Sequence, residues 1–299
     1  MFTAEERRKY LGGSDISAVM GLNRWKTPLK LWLEKTGESE PEDLSKVEAV
    51  QLGTELEEFV AQKFSRETGK QVRKQPKMYV HKDYPYMVAH VDRLITGTDE
   101  LLECKTCSYF KKDEWENDGI PQEYILQVMW YLGITGRKKG YIAVLIGGQS
   151  FKYTELEFDS ELFDTMVEKA KDFWDKVQNN IPPEISANDG EVIREMFPKS
   201  SGDIVEDLEA ESEVALLQEV KEHLKELSGE RDELETKVKN RIRGNLGIST
   251  MKYIITWKEQ ETTNIDRVAM AKDGVLDKYI KKSTTRRLSV KNNPAYQAT

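Results

Sequence analysis

The chain has 299 residues, which is enough for one core of the usual domain size plus an appendage. Hydrophobic residues make up 38% of it and charged residues 33%, a composition typical of a soluble globular protein. No apolar run approaches the ~20 residues that span a bilayer, and no basic-then-apolar leader opens the chain, so we expect a cytoplasmic protein with no membrane partner.

The charge of the chain is unevenly distributed. Its formal net charge is −8, which argues against a protein that is held to nucleic acid by overall charge alone. Residues 206–235 contain twelve acidic residues against three basic ones, whereas residues 236–299 contain fourteen Lys or Arg against five acidic residues. The C-terminal third therefore combines an acidic segment with a basic one.

Residues 3–36 are predicted to form two short helices. The GGSD sequence favours a turn with Ser14 or Asp15 as an N-cap, and Pro28 suits the first turn of the second helix. After a polar connector, VEAVQLGTELEEFVAQKFSRETG predicts a long helix that stops at Gly69. Its inward side is expected to hold Leu56, Phe59, Val60 and Phe64.

Alternating and continuous apolar segments predict the strands of a sheet. In chain order these strands are KQVRKQPKMYVH, PYMVAHVDRLI, ELLECKTC, GYIAVLIGG and SFKYTELEFD. The helix PQEYILQVMWYLGITG interrupts them and is expected to end at Gly133, and a last helix runs from Ser160 to the residues before Ile181. Helices before, between and after the strands predict an α/β fold in which helices flank a central sheet.

The C-terminal part is predicted to start with a linker at residues 186–205 and a long acidic helix or coiled coil at residues 206–243. Apolar residues recur along this helix at spacings of three and four, as in a coiled coil, with Arg231 in one position of the stripe. The apolar members are Leu217, Val220, Leu224, Leu227, Leu234 and Val238. The Ser-Gly pair at 228–229 leaves a kink or a helical hairpin open. The apolar stripe is compatible with self-pairing of the helix, with binding to a partner and with packing on the first domain.

Residues 244–299 are predicted to form a small basic α+β module that is rich in β-structure. Its expected core consists of Tyr253, Ile255, Trp257 and Leu288. Arg286 and Arg287 belong to a basic patch and are candidate DNA contacts, with a solvated surface as the alternative.

The two cysteines, Cys104 and Cys107, form an isolated CxxC sequence. A redox role is not expected, because the pair lies within a predicted strand rather than at a helix N-terminus. A structural zinc needs four ligands, and the histidines His81, His90 and His223 are scattered along the chain. An iron–sulfur cluster needs four cysteines. Cys104 is therefore expected to be a small buried apolar residue.

The most informative polar residues are Asp92, Glu103 and Lys105, on two neighbouring predicted strands. Because side chains alternate along a strand, Glu103 and Lys105 share one face, and Asp92 can lie beside Glu103. Carboxylate oxygens bind hard divalent metals, and an ammonium can orient a water or neutralise charge that develops at a phosphate. A charged face that is merely solvated is the alternative.

Five segments resemble, in order, the YqaJ-like viral recombinase family, which is a branch of the PD-(D/E)XK nucleases related to phage lambda exonuclease. They are RRKYLGGSDISAVMGLNRWKTPLKLWLEKTG, GTELEEFVAQKFSRETG, YMVAHVDRLI, LLECKT and QEYILQVMWYLGITG. The resemblance covers residues 1–185 and implies a PD-(D/E)XK nuclease domain there, with a mixed central sheet flanked by helices.

The resemblance also implies an activity. Members of this family are expected to be Mg²⁺-dependent 5′-to-3′ exonucleases, with Mn²⁺ as a substitute, that digest linear double-stranded DNA and leave 3′ tails. A single-strand annealing protein would be the partner in recombination, a ring of three copies the assembly, and a phage or prophage in a bacterial host the origin. The alternatives are an endonuclease of the same fold and an inactive DNA-binding or scaffold protein.

The resemblance assigns roles to individual residues of the predicted metal site. Asp92 and Glu103 correspond to metal ligands, the backbone carbonyl of Cys104 to a third oxygen ligand, and Lys105 to the catalytic lysine. In GTELEEF, Glu57 occupies the position of the helical acidic residue that completes the metal shell, and its neighbours Glu55 and Glu58 are competitors that helical spacing favours as surface charges.

Further roles concern the substrate. Gln127 and Tyr131 match a Gln-x-x-x-Tyr motif whose two side chains share one helix face, although Tyr131 is equally compatible with an ordinary core aromatic. Arg7 and Ser14 correspond to residues that hold a 5′-terminal phosphate, with Arg8 as an alternative to Arg7 through a one-residue shift. The chain departs from the family at His90, which shares the face of the predicted aspartate and is either a phosphate contact or a packed histidine.

Overall fold

The computed structural model of the protein describes residues 4–116 and 119–281. The chain divides into a first unit, Met1–Met196, and a second unit, Phe197–Thr299. In the described part of both units, no helix combines the length and the apolar character needed to cross a membrane.

The first unit alternates helices and strands. Its helices are α1 (Ala4–Arg8), α2 (Gly13–Val19), α3 (Pro28–Thr36), α4 (Glu48–Thr68), α5 (Gln122–Thr135), α6 (Ser160–Gln178) and α7 (Gly190–Met196). Its strands are β1 (Val72–Lys74), β2 (Tyr79–Val80), β3 (Val88–Ala89), β4 (Arg93–Ile95), β5 (Glu100–Cys107), β6 (Lys139–Ile146) and β7 (Ser150–Glu157). Short 3₁₀ helices lie at Leu44–Lys46, Tyr109–Trp115 and Ala187–Asp189.

Five strands form a mixed sheet in the order β1-β4-β5-β6-β7. Strands β5 and β6 are parallel and α5 connects them, whereas the other neighbouring pairs are antiparallel. Strands β2 and β3 pair separately as a two-stranded antiparallel ribbon. A central mixed sheet flanked by helices confirms the predicted fold class.

Buried strand residues alternate between two apolar clusters, one on each face of the sheet. On β6, Ile142 and Val144 pack into the cluster that contains α2, α3, α5 and α6, whereas Ala143 packs into the cluster that contains Phe64 of α4. Strand β5 follows the same period of two, because Leu101 belongs to the first cluster and Leu102 and Cys104 to the second. The sheet is therefore covered on both faces. The prediction that Cys104 is a buried residue is confirmed.

The predicted strand PYMVAHVDRLI is wrong as a single element. It is broken into β3 and β4, and residues 90–92 lie outside both strands. The reason is that β3 pairs with β2 in the ribbon while β4 pairs with β1 and β5 in the main sheet, so the chain changes sheets between them. KQVRKQPKMYVH is divided in the same way, into β1 and β2.

Several predicted helix boundaries are also wrong. The segment at residues 4–36 contains three helices rather than two, and α2 begins at Gly13, with Gly12 rather than Ser14 or Asp15 as its N-cap. Helix α5 continues past Gly133 to Thr135 and ends at Gly136, whose positive φ of 69° suits a helix C-cap. The side chain of Phe59, predicted to face inward on α4, is nearly half exposed.

The first unit continues beyond the predicted domain boundary at residue 185. Within the stretch predicted as a linker, a 3₁₀ turn and α7 are formed, and Val192 of α7 packs into the core cluster of α2, α3, α5 and α6. Only residues 197–205 of that stretch lie in the second unit.

The second unit contains α8 (Glu211–Ile242), β8 (Gly247–Ser249), β9 (Ile254–Thr256), α9 (Arg267–Lys272) and a 3₁₀ turn at Leu276–Lys278. Helix α8 runs without interruption through residues 228–229, which excludes a helical hairpin at this point. Strands β8 and β9 form an antiparallel hairpin. Tyr253 and Trp257, predicted to be core residues, are mostly exposed. The predicted DNA contacts Arg286 and Arg287, and Leu288, lie outside the described residues.

Candidate active site

Strand β5 carries the predicted carboxylate and lysine on one face. Glu103 is 2% exposed, and the Lys105 Nζ atom lies 2.6 Å from its Oε1 atom. The two residues are separated by one position, so the strand period brings their side chains side by side. A buried carboxylate is expensive unless it is paired and hydrogen-bonded, and Lys105 supplies that pairing.

Helix α5 closes a polar network over this pair. The Gln127 Nε2 atom donates hydrogen bonds to Glu103 Oε1 at 2.8 Å and to the Tyr131 hydroxyl at 2.9 Å. Lys105 Nζ in turn donates to Gln127 Oε1 at 2.9 Å. The amide orientation follows from its neighbours, with its oxygen towards an ammonium and its nitrogen towards a carboxylate. Gln127 therefore holds Glu103 and Lys105 in one fixed geometry.

Asp92 enters the site from the segment between β3 and β4. Its Oδ2 atom accepts a hydrogen bond from the backbone N–H of Cys104 at 2.9 Å. Because the N–H and C=O of one strand residue point to the same edge, the carbonyl of Cys104 is directed to the side on which Asp92 lies. Asp92, Glu103 and this carbonyl thus offer oxygen atoms at the end of the β4–β5 pair, although the predicted continuous strand around Asp92 does not form.

The electrostatics of the site are those of two crowded carboxylates. Burial, and next the negative charge of Glu103, raise the pKa of Asp92 well above its ordinary value. Burial by itself lowers the pKa of Lys105, but the charges of Glu103 and Asp92 outweigh it, and the net shift is upwards. Lys105 is therefore an ammonium at neutral pH. Its positive charge is not enough to offset the effects of burial and of Glu103 on the pKa of Asp92.

The residues present fit a divalent metal ion. Glu103 Oε2 is buried and has no hydrogen-bond partner within the described residues, so one carboxylate oxygen is left to take a ligand. A hard cation beside Asp92 and Glu103 would relieve their repulsion and satisfy this oxygen. Side chains alone do not complete the shell, because no group of three His, Cys, Asp or Glu suited to a metal occurs in the described ranges. Backbone carbonyl and water oxygens must contribute.

The structure places Glu57, the predicted helical ligand, in an ion pair. Its carboxylate accepts a hydrogen bond from the guanidinium of Arg93, which also lies 3.0 Å from Glu58. Arg93 is almost fully buried and was not recognised in the sequence analysis. In the sequence, the position of Arg93 directly after Asp92 was the only indication that it lies near the site. Glu57 still contributes to the raised pKa of Asp92, and its role as a metal ligand stays a prediction.

The residues predicted to bind a 5′-phosphate meet in one place. Arg7, Ser14, His90 and Tyr131 all line an open cavity of ≈ 1150 Å³. Ser14 is exposed in the first turn of α2, and His90 is also exposed. Burial, and then the charge of Arg7, lower the pKa of His90, so its imidazole is neutral at neutral pH. Convergence of Arg7, Ser14 and His90 agrees with a shared phosphate-binding role, which stays a prediction, and Tyr131 lies at the same cavity.

Tyr131 connects the cavity with the polar network. Its ring is buried against α2, where a Cβ atom at Gly13 would lie 2.5 Å from the ring, so only glycine fits there. Burial, followed by the charges of Glu103 and Asp92, raises the pKa of the Tyr131 hydroxyl, which stays protonated. The side chain is therefore both a core aromatic and a member of the site.

A buried lysine that the sequence analysis missed fixes the chain around Arg7. Lys35 Nζ donates hydrogen bonds to the carbonyl oxygens of Arg7 at 2.9 Å and Tyr10 at 2.6 Å, and to Asp15 Oδ2 at 2.8 Å. Arg8, the neighbour of Arg7, is paired with Glu40 at 2.7 Å. Lys35 thus positions the backbone that carries Arg7.

Comparisons with known proteins agree with this architecture. Residues 4–138 match the YqaJ-like viral recombinase domain. The uncharacterized protein YqaJ of Bacillus subtilis (strain 168) is 38% identical over 300 residues, which cover 96% of this chain and 92% of that protein.

Two solved structures share the fold. The alkaline exonuclease LHK-Exo of Laribacter hongkongensis matches with a TM-score of 0.50 and 21% identity over 58% of this chain and 91% of that one. LHK-Exo in complex with dAMP matches with the same TM-score and identity over 64% and 94% of the two chains. At this identity the match shows the fold alone.

Proposed function

Because this chain belongs to the YqaJ-like viral recombinase family, we propose that it is a Mg²⁺-dependent exonuclease. Its substrate would be linear double-stranded DNA, digested from 5′ to 3′ so that 3′ single-stranded tails remain for recombination by strand annealing. The observation that carries the proposal is the hydrogen-bonded network of Glu103, Lys105, Gln127 and Tyr131 beside Asp92, which Tyr131 connects with the cavity that Arg7 lines.

Asp92, Glu103 and the carbonyl of Cys104 are the groups that would hold the metal, with Glu57 as the further ligand that the family resemblance implies. A bound Mg²⁺, or Mn²⁺ in its place, would supply Lewis-acid activation of the phosphodiester and a more acidic water. The protein's own part is to bring these oxygens together, and a bound cation would supply the positive charge that favours the ionised form of Asp92.

Lys105 acts in this proposal as a fixed positive charge. Glu103 and Asp92 raise its pKa, so Lys105 carries a positive charge at neutral pH, and we assign it no role as the base that takes the proton of the attacking water. Its ammonium, held by Glu103 and Gln127, instead stabilises the negative charge that develops on the phosphate oxygens. Gln127 is a positioning residue, since its amide holds the Lys105 ammonium and the Glu103 carboxylate in place relative to each other.

Arg7 and Ser14 account for the preference for a DNA end. An arginine guanidinium and a hydroxyl are suited to bind a terminal phosphate. The hydrogen bond from Lys35 to the Arg7 carbonyl holds the backbone that carries this guanidinium at the cavity. His90, which lines the same cavity, adds a hydrogen-bonding group beside them. A terminal phosphate held here, next to the network, would set the distance from the 5′ end to the bond that is cut.

Duplexes labelled at either end, with and without a 5′-phosphate, test the proposal directly. We expect Mg²⁺-dependent release of the 5′ label first, faster from phosphorylated ends, with closed circles left intact. Cutting of circles would support an endonuclease instead. Absence of cleavage with both Mg²⁺ and Mn²⁺ would support an inactive DNA-binding or scaffold protein.

Arg7→Ala sharpens the same test. It should remove the advantage of the phosphorylated end while cleavage of hydroxyl ends changes little, because the substitution takes away only the terminal phosphate contact. Arg66→Ala, on α4 and outside the residues that line the cavity, is the matched control. A ring of three copies, a single-strand annealing partner and a cytoplasmic location in a bacterial host belong to the proposal through the family resemblance.

A further inference from the structure

Trp25 lies in the segment between α2 and α3 and is held there by its backbone. The Asn23 Oδ1 atom accepts hydrogen bonds from the N–H groups of Trp25 at 2.8 Å and Lys26 at 2.9 Å. The Asn23 amide in turn donates to Ser17 Oγ at 2.9 Å. The indole side chain is nevertheless 57% exposed. A large aromatic ring on a fixed turn with more than half of its surface open can accept a ligand without rearrangement of the core.

Two cations flank this ring. The Arg24 guanidinium lies 5.1 Å and the Lys111 ammonium 4.8 Å from the ring centroid. Arg24 is fixed by Glu114 at 2.7 Å and by Glu123 at 3.0 Å. Lys111 makes no ion pair with any residue that the structure describes, so its ammonium can leave the ring for a phosphate.

Trp25 lines the same ≈ 1150 Å³ cavity as Arg7, Ser14 and His90. An aromatic face that Lys111 can vacate, together with the cations that lie over the ring, matches a nucleotide, since every base has a π-face and its neighbours in the chain carry phosphates. The cavity therefore offers a phosphate-binding part and a base-stacking part in one space.

We propose that Trp25 stacks on a nucleobase of the DNA end whose 5′-phosphate is bound by Arg7 and Ser14, and that Lys111 then binds a flanking phosphate. This inference rests on the proposed exonuclease function. Because stacking depends little on base identity, Trp25 would strengthen the hold on a DNA end of any sequence. Trp25 is thus a substrate-binding residue with no part in bond cleavage.

Abasic oligonucleotides test the proposal. Binding of 5′-phosphorylated duplexes is measured by fluorescence anisotropy with Ca²⁺ in place of Mg²⁺, using either a normal or an abasic nucleotide at the 5′ end and the next two positions. For the wild-type protein we expect roughly tenfold weaker binding of the best-placed abasic duplex. Trp25→Ala should bind the normal duplex roughly tenfold more weakly and should no longer distinguish the two duplexes.

Two further variants serve as controls. Trp25→Phe keeps an aromatic face and should retain most of the base dependence, which separates stacking from loss of structure. Trp257→Ala removes a tryptophan of similar exposure (52%) from the second unit and should behave as wild type. Thermal melts of each variant show whether the fold is retained.

The outcomes distinguish the two proposals. If Trp25→Ala binds both duplexes as the wild type does while Mg²⁺-dependent end cleavage is intact, base stacking by Trp25 is refuted and the exonuclease proposal stands. If Trp25→Ala binds weakly but remains as sensitive to the abasic site as the wild type, stacking is likewise refuted. If the wild-type protein neither binds nor cleaves DNA ends, both proposals fail together.

Discussion

The first unit and helix α8 both contain ion pairs between basic and acidic side chains, but the pairs differ in how far they are buried. In the first unit, the Lys35–Asp15 pair has side chains that are 5% and 19% exposed, and the ammonium also binds two backbone carbonyls. On α8, the Arg231–Asp232 pair has side chains that are 65% and 64% exposed and joins neighbours in sequence. Buried pairs define a geometry because their alternatives are costly, whereas exposed pairs exchange readily with water. Substitutions should therefore act strongly in the first unit and weakly in α8.

The largest contrast is expected in activity. Glu103→Gln and Lys105→Ala should each lower cleavage by at least about a thousandfold, or about 4 kcal/mol, since one removes a metal ligand and the other a fixed charge at the phosphate. Glu233→Gln and Lys237→Ala, which break an exposed pair on α8, should leave the rate unchanged. Initial rates on end-labelled duplex DNA measure both.

The loss of activity is informative only if both site variants are still folded. Circular dichroism and thermal melts provide that control. Gln in place of Glu103 retains a hydrogen-bond acceptor for the Gln127 amide, whereas Lys105→Ala leaves the buried Glu103 without its ion-pair partner and should remain folded but melt at a lower temperature. Full cleavage by both variants would contradict the assigned site, whatever the effect of the α8 variants.

A second contrast concerns stability. Asp15→Asn should lower the free energy of unfolding by about 3 kcal/mol, because it leaves the buried Lys35 ammonium without its counter-charge. Asp232→Asn on α8 should change it by less than about 0.5 kcal/mol. Urea denaturation at neutral pH measures the difference. Equal effects of the two substitutions would remove the distinction between buried and exposed pairs.

The effect of Asp15→Asn should depend on pH. Burial alone raises the pKa of Asp15, but the charge and hydrogen bond of Lys35 and the Gly12 N–H outweigh it, and the pKa lies below its ordinary value. An acid with a lowered folded-state pKa contributes its full stability above the unfolded-state pKa of about 4 and loses it as the pH falls through the folded value. The difference between wild type and variant should therefore be constant near neutrality and shrink in acid below pH ~4.

A third contrast uses one substitution at two helical positions. In α5, a Cβ atom at Gly133 would lie 2.1 Å from the ring of Phe163, whereas at Gly229 in α8 nothing lies within 4 Å. Gly133→Ala should destabilise by about 2 kcal/mol through overpacking. Gly229→Ala should instead stabilise α8 by up to about 1 kcal/mol, because alanine restricts the unfolded chain and favours helix. Chemical denaturation followed by circular dichroism gives both signs, and a stabilised Gly133→Ala protein would show that the packing of α5 on α6 is loose.

Local sequence predicted the parts of the fold that depend on local periodicity. The alternation in ELLECKTC placed Glu103 and Lys105 on one face, and the apolar run GYIAVLIGG predicted β6. The choice between Gly133 and Gly136 as the end of α5 could not be made from sequence, because it depends on Phe163, thirty residues away in the chain from Gly133.

Contacts distant in sequence account for the remaining differences. The break around residues 90–92 arises because the chain exchanges one β-partner for another, while the apolar pattern runs on through PYMVAHVDRLI. The role of Lys35 has no local sequence signal, since its acceptors on Arg7, Tyr10 and Asp15 lie twenty or more positions away in the chain. The alignment of Gln127 with Lys105 likewise depends on how α5 lies against the sheet, which local sequence does not show.

The smallest effect is expected on the apolar stripe of α8. Leu227 is 60% exposed, so Leu227→Gln should change the free energy of unfolding by no more than about 0.5 kcal/mol, independently of protein concentration. Leu132→Ala in α5, at a fully buried position, should cost about 3 kcal/mol. Melts at two protein concentrations a hundredfold apart, together with sedimentation velocity, measure both variants.

A loss of stability for Leu227→Gln that grows with protein concentration would mean that the stripe is covered by a second copy in solution, since association stabilises by mass action. The charged surface of α8 would then border an interface, and its exposed ion pairs would no longer stand in contrast to the buried pairs of the first unit.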